Sequence, residues 1–263
     1  GLSQATDVTV HVPAAQSNLL VGGGGSDVIV GSDNGNDVIY GGSIPTGEAN
    51  PSHVATAADN DQIFAGNGNN HIWGNSGDDH ITAGNGDNWI SGGKGNDVVT
   101  VGDGNNTIYG NTGDDTIMVG GGNNVVHGGA GFDTLDFRFN DGVTIDVKAH
   151  TAATATGVTT FDSIEHFSGS GGNDTFIVGK KGEVFTGGGG DDTFVFDRGD
   201  VVSKGVALAA HEITDFNVGD TLDLRGVFAG HNWQGLDKMV QLVEDDKGTH
   251  VYAKVSQQMV EVV

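Results

Sequence analysis

Aspartate and asparagine recur at fixed intervals along the middle of this 263-residue chain, and their spacing points to the chemistry it can do. Between Ala65 and Asp136 the sequence divides into eight consecutive nine-residue units: AGNGNNHIW, GNSGDDHIT, AGNGDNWIS, GGKGNDVVT, VGDGNNTIY, GNTGDDTIM, VGGGNNVVH and GGAGFDTLD. The fourth position is always Gly and the eighth always Ile, Val or Leu. The sixth alternates, reading Asp61, Asn70, Asp79, Asn88, Asp97, Asn106, Asp115, Asn124, Asp133. A super-period of two units puts successive loops on opposite edges of a coil. One edge then carries Asp61, Asp79, Asp97, Asp115 and Asp133, preceded by Asp27. The other carries Asn70, Asn88, Asn106 and Asn124, led by Asp37.

Carboxylates stacked about one strand spacing apart, roughly 4.8 Å, repel unless a cation sits between them. The glycine turns offer backbone carbonyls beside each carboxylate. Six or more hard oxygen ligands from a flexible loop describe calcium rather than magnesium or zinc. The Asn edge lacks the negative charge. It either binds calcium more weakly or forms a hydrogen-bonded ladder with no metal.

These residues need elements that hold them in register. Six residues rich in Gly, Asn and Asp form a turn with left-handed backbone angles, and three residues form a short strand. Within that strand position eight points one way and positions seven and nine the other. Stacking buries a single column of Ile and Val between two sheets. Such a core is too thin to offset the entropy of ordering so much glycine, 47 residues in all. Metal at the turns would supply the difference. Earlier units occupy 22–30 and 32–40, a polar insertion spans 43–58, and the pattern returns at 169–195.

The net charge of −24 disfavours nucleic acid and anionic membrane surfaces as partners, and the absence of cysteine excludes disulfides and thiolate metal sites. No apolar run is long enough for membrane insertion. No H-E-x-x-H, G-x-S-x-G or phosphate-loop motif occurs, so the expectation is a non-enzymatic protein. His71, His80 and His127 lie at outward strand positions, where solvated residues are the rule and a transition-metal site the exception. The chain begins Gly1-Leu2-Ser3 with no initiator Met and no signal-peptide pattern, as a fragment or trimmed chain would.

The units resemble the G-G-x-G-x-D-x-U-x nonapeptide of the RTX (repeats-in-toxin) family, over residues 21–136 and 169–195. The resemblance implies an all-β fold, a parallel β-roll (two-sheet β-helix) with a β-rich C-terminal cap. It implies several Ca2+ ions held between same-edge turns. Their ligands would be Asp79 with carbonyls of Gly74 and Ser76, and Asp97 with Gly92 and Lys94. Asp115 would act with Gly110 and Thr112, and Asp133 with Gly128 and Ala130. In the second block Asp174 and Asp192 can share an ion, whereas Lys180 and Lys181 make the Glu183 turn a poor site. Residues 1–20 would form an N-terminal cap strand, 21–136 the first roll, 137–168 a β spacer, 169–195 a second short roll and 196–263 a C-terminal cap.

The segment ITDFNVGDTLDLRGVF and the final Glu261-Val262-Val263 resemble the tail of RTX proteins exported by type I secretion in Gram-negative bacteria. That resemblance implies a secreted, extracellular or cell-surface protein, folding in calcium after passing the type I secretion machinery. Two alternatives are the C-terminal folding module of a larger exported enzyme (protease, lipase or alginate epimerase) and an adhesion module. For the latter, Tyr40, Trp73, Trp89 and Tyr109 fall on one outer sheet face with His71 and His127. Either the tail or the 43–58 insertion packs over them, or they form a platform for a polysaccharide or partner protein.

Overall fold

The repeat dictates the strands. In each unit the residue at position eight is fully buried, from Ile72, Ile81 and Ile90 through Val99, Ile108 and Ile117 to Val126 and Leu135. Its two neighbours face outward, as period-two alternation requires. Strands 18 residues apart pair in parallel: Ile72 lies opposite Ile90, Ile90 opposite Ile108 and Ile108 opposite Val126 in one sheet. Ile63, Ile81, Val99, Ile117 and Leu135 line up likewise in the other. The result is a parallel β-roll, two face-to-face sheets of 10 and 12 strands among the described residues. The computed structural model describes residues 9–12, 17–42, 59–203, 206–229, 240–245, 248–255 and 258–263; the 43–58 insertion lies outside them.

The core differs from the single column that position eight alone suggests. Ala65, Ala83, Val101 and Val119, each opening a unit with Asn at position six, are also buried. The strands His80–Ala83, Val98–Val101 and Thr116–Val119 run one residue into the next unit, so its first side chain points the same way as position eight. From the end of the spacer into the second block the column changes to phenylalanine. Phe167, Phe176, Phe185 and Phe194 are fully buried, with the rings of Phe176 and Phe194 stacked 4.9 Å apart.

Between the blocks the all-parallel pattern is interrupted. Strands Thr144–Asp146, Thr151–Ala153 and Val158–Asp162 form an antiparallel meander inside the 12-stranded sheet. Its outer members pair in parallel with Val125–Ala130 and Thr175–Ile177. After residue 203 the strands Glu212–Ile213 and Thr221–Gly226 add one rung to each sheet without glycine-repeat turns. A three-stranded antiparallel sheet (Val240–Asp245, Gly248–Val255, Gln258–Glu261) follows. Val262 is buried, and its carbonyl accepts the His211 backbone N–H at 3.1 Å.

Candidate metal centre and aromatic face

Every carboxylate of the Asp column is buried. One oxygen of each is spoken for. Asp79, Asp97, Asp115 and Asp133 accept through Oδ1 the backbone N–H of the Asp one rung before, at 2.8–2.9 Å, and Asp61 accepts that of Asp27 at 2.8 Å. The other oxygen is not. Oδ2 of Asp61, Asp79, Asp97, Asp115 and Asp133 is buried without a hydrogen-bond donor.

Glycine makes room for that oxygen. A Cβ on Gly41, Gly74 or Gly110 would overlap Oδ2 of Asp61, Asp79 or Asp115 and sit 2.5–2.7 Å from the carbonyl oxygen of Gly74, Gly92 or Gly128. A carboxylate oxygen without a donor and a backbone carbonyl oxygen thus converge at each turn. Burial, with smaller repulsion from neighbouring Asp residues, pushes Asp61 and Asp115 up to about 7 and Asp79 and Asp97 to about 8. Burial also raises Asp133. Buried oxygen acceptors with no donor are the donor set of a hard cation, and calcium fits them.

The carbonyls that the sequence comparison pairs with these aspartates divide into two kinds. Those of Ser76, Lys94, Thr112 and Ala130 each accept a backbone N–H from the neighbouring turn, at 2.7–3.0 Å. Those of Gly74, Gly92 and Gly128 lie beside the bare carboxylate oxygens. Among the described residues no three His, Asp or Glu side chains converge on one point.

The Asn column is also buried but internally satisfied. Asn88, Asn106 and Asn124 accept through Oδ1 both the backbone N–H and the side-chain Nδ2–H of the Asn one rung before, at 3.1 and 2.9 Å. Nδ2 of Asn70 also reaches Gly68 O at 3.1 Å, that of Asn88 reaches Gly86 O at 3.0 Å, and that of Asn106 reaches Gly104 O at 3.2 Å. Asp37 opens this edge with Oδ2 accepting from Ser32 N at 2.7 Å, while its own N–H donates to Asn70 Oδ1.

In the second block Asp174 and Asp192 occupy successive rungs, Asp174 N–H donating to Asp192 Oδ1 at 2.9 Å. Asp174 Oδ2 accepts from Ser170 N at 2.6 Å, and burial raises Asp192 to about 6. Glu183 stands on the opposite edge and pairs with buried His211 at 2.9 Å. Position-six reasoning misses further ladders at positions three and five. Asn67 and Asn85 accept from the backbone N–H of Asn85 and Asp103, and Asn60, Asp78 and Asn96 from those of Asp78, Asn96 and Asp114. Recurrence of Asn and Asp at those positions was the available signal.

The aromatic residues stack along the 12-stranded sheet. Tyr40 and Trp73 stack 4.6 Å apart with nearly parallel rings, Trp73 and Trp89 are 5.1 Å apart, Trp89 and Tyr109 5.6 Å, and Tyr109 and His127 4.6 Å. Beside them Asn75 and Asn111, both with left-handed φ of 83°, flank Gly93. The gap left by Gly93 is a notch of about 230 Å³ lined by Trp73, Ser91, Lys94 and Thr112 as well as the two amides.

Stacked glycine turns with buried, donor-free carboxylates define a calcium-binding β-roll. The family model of the RTX calcium-binding nonapeptide repeat matches residues 15–43, 56–89, 64–99, 73–107, 82–117, 100–135 and 168–202. Together these cover more than half of the chain, which therefore belongs to the RTX repeat family. A comparison with curated proteins returns no match.

Proposed function

We propose that this is an exported protein whose roll folds when it meets extracellular calcium, the ions being held along the Asp61-to-Asp133 edge. The observation behind it is the row of buried Oδ2 atoms with no donor. Each is an uncompensated charge that only a cation or a proton relieves. Calcium titration followed by circular dichroism tests the folding step, with a β signal expected to appear as calcium is added.

Export is supported by the likeness of ITDFNVGDTLDLRGVF and Glu261-Val262-Val263 to type I secretion tails, and the reading is the same for a lone protein or for the C-terminal module of an exported enzyme. In a Gram-negative cell carrying a type I exporter, the full chain should reach the medium and a chain lacking residues 248–263 should not. Equal export of both would remove this tail as the signal.

The notch beside the stacked rings favours a second role, retention on a polysaccharide. The Trp73 ring beside the amides of Asn75 and Asn111 and the hydroxyls of Ser91 and Thr112 suits a sugar ring. Trp73→Ala with Trp89→Ala should abolish retention on a polysaccharide matrix while leaving the calcium-bound circular dichroism spectrum unchanged. Unchanged retention would return the rings to a packing role.

A further inference from the structure

The two edges of the first roll are built to different plans, and we infer that calcium occupies the Asp edge alone while the Asn edge is a metal-free spine that excludes it. This rests on the calcium proposal above and divides the roll by edge.

The Asn side chain itself supplies what the cation would. The backbone N–H of Asn70 points at Oδ1 of Asn88, and only an oxygen can accept it, so the second terminal atom of Asn88 is the amide nitrogen. That nitrogen donates to Gly86 O and to Asn106 Oδ1. On the opposite edge the equivalent atom is a bare carboxylate oxygen facing another oxygen. An N–H donor stands where a positive charge is needed, so an ion there would displace hydrogen bonds already made.

Position one alternates in step. It is Gly on the Asp edge, at Gly74, Gly92, Gly110 and Gly128, and Ala or Val on the Asn edge, at Ala65, Ala83, Val101 and Val119. On the Asp edge a Cβ there would overlap Oδ2, or for Gly128 lie 2.6 Å from it. On the Asn edge a Cβ is present and buried in the core. The backbone differs as well. On the Asp edge position two has positive φ at Asn75, Gly93, Asn111 and Gly129, whereas on the Asn edge it is positive at the first turn, Gly66, and not at Gly84, Gly102 or Gly120. Finally, position three on the Asn edge adds a ladder, Asn67 to Asn85 to Asp103 to Gly121, where the Asp edge has Ser76, Lys94 and Thr112.

The test is ion stoichiometry on the full chain by isothermal titration with calcium, with anomalous diffraction to place the ions. Wild type should show ions between the Asp turns and none between the turns of Asn70, Asn88, Asn106 and Asn124. The fourfold variant Ala83→Gly, Asn88→Asp, Val101→Gly, Asn106→Asp should bind one more ion than wild type. Asn88→Asp with Asn106→Asp alone, retaining Ala83 and Val101, should gain none. To keep the test independent of whether the fourfold variant folds, the reciprocal Asp79→Asn with Asp97→Asn, which retains Gly74 and Gly92, is measured beside it. It should lose ions yet reach its β spectrum at a lower calcium concentration than wild type. Ions on the Asn edge of wild type, or a reciprocal variant needing more calcium, would overturn the inference. Wild type binding no calcium at all would overturn the calcium proposal, and this inference with it.

Discussion

With excess chelator at about pH 7.5, the repeat region should lose its β spectrum and its protease resistance, and both should return on adding millimolar calcium. Without the ion, the Asp column is a row of buried charges that the surrounding carbonyls cannot offset. The core between the sheets is one or two small aliphatic side chains thick per rung in the first block. The glycine turns lose more backbone freedom on folding than any other residue type would. Extracellular calcium modules have dissociation constants of about 10⁻⁴–10⁻³ M. At tenfold saturation each ion then adds about 1.4 kcal/mol, and four or five add about 6–7 kcal/mol. That is comparable with the whole stability of a domain, about 5–15 kcal/mol. At calcium concentrations far below those dissociation constants the contribution vanishes.

Protons should partly replace calcium in the same experiment, with a sign that follows from burial. The folded-state values of Asp61, Asp79, Asp97 and Asp115, about 7–8, lie above the ordinary 3.8. Carboxyls raised in the folded state stabilise it fully below 3.8, and that stability is lost as pH rises through 7–8. In chelator, acidification from pH 8 towards pH 5 should therefore recover β signal, whereas in saturating calcium the same change should recover none. A native spectrum in chelator at pH 8 would show that the roll folds without a cation, and the calcium mechanism would be wrong.

The Asp column and the central core were legible because both follow strict periods, nine residues for the unit and two within each strand. Sequence spacing also put Tyr40, Trp73, Trp89 and Tyr109 on one face, since it sets direction. It could not show that the rings stack on one another, because that depends on rotamers. The Asn edge stayed undecided for a different reason: an amide can offer a cation its oxygen or a carbonyl its nitrogen, and residue type alone does not choose. The deciding contrast was present in the sequence at position one, where Gly74 and Gly92 alternate with Ala83 and Val101, but it gains meaning only once that residue is seen to point inward. The antiparallel meander in residues 144–162 and the pairing of Glu183 with His211 were not legible. They join segments related by no repeat, and only the assembled topology brings them together.

Gly95→Ala should be among the most damaging single methyl additions in the molecule, costing about 3 kcal/mol or more through two independent effects. Gly95 has φ +116°, a conformation in which an L side chain is strained by about 1–3 kcal/mol. Its Cβ would also overlap the carbonyl oxygen of Gly77 and lie 2.5 Å from that carbonyl carbon. Gly77 is the same position one rung away, and Gly95 in turn meets Gly113, so the clash is with stacked backbone that cannot rotate aside. Overpacking of that kind adds about 1–3 kcal/mol. Relief would require the rungs to part, which would lengthen the Gly77 N–H to Lys94 O bond of 2.7 Å and separate the Asp79 and Asp97 turns. The control is Gly171→Ala in the second block, where a Cβ meets nothing within 4 Å and φ is not positive. There the change should stay within about 0.5 kcal/mol. Urea midpoints in saturating calcium compare the two directly. Equal midpoints for Gly95→Ala and Gly171→Ala would mean that the rungs yield freely, and that glycine at position four is not required by the stacking of the turns.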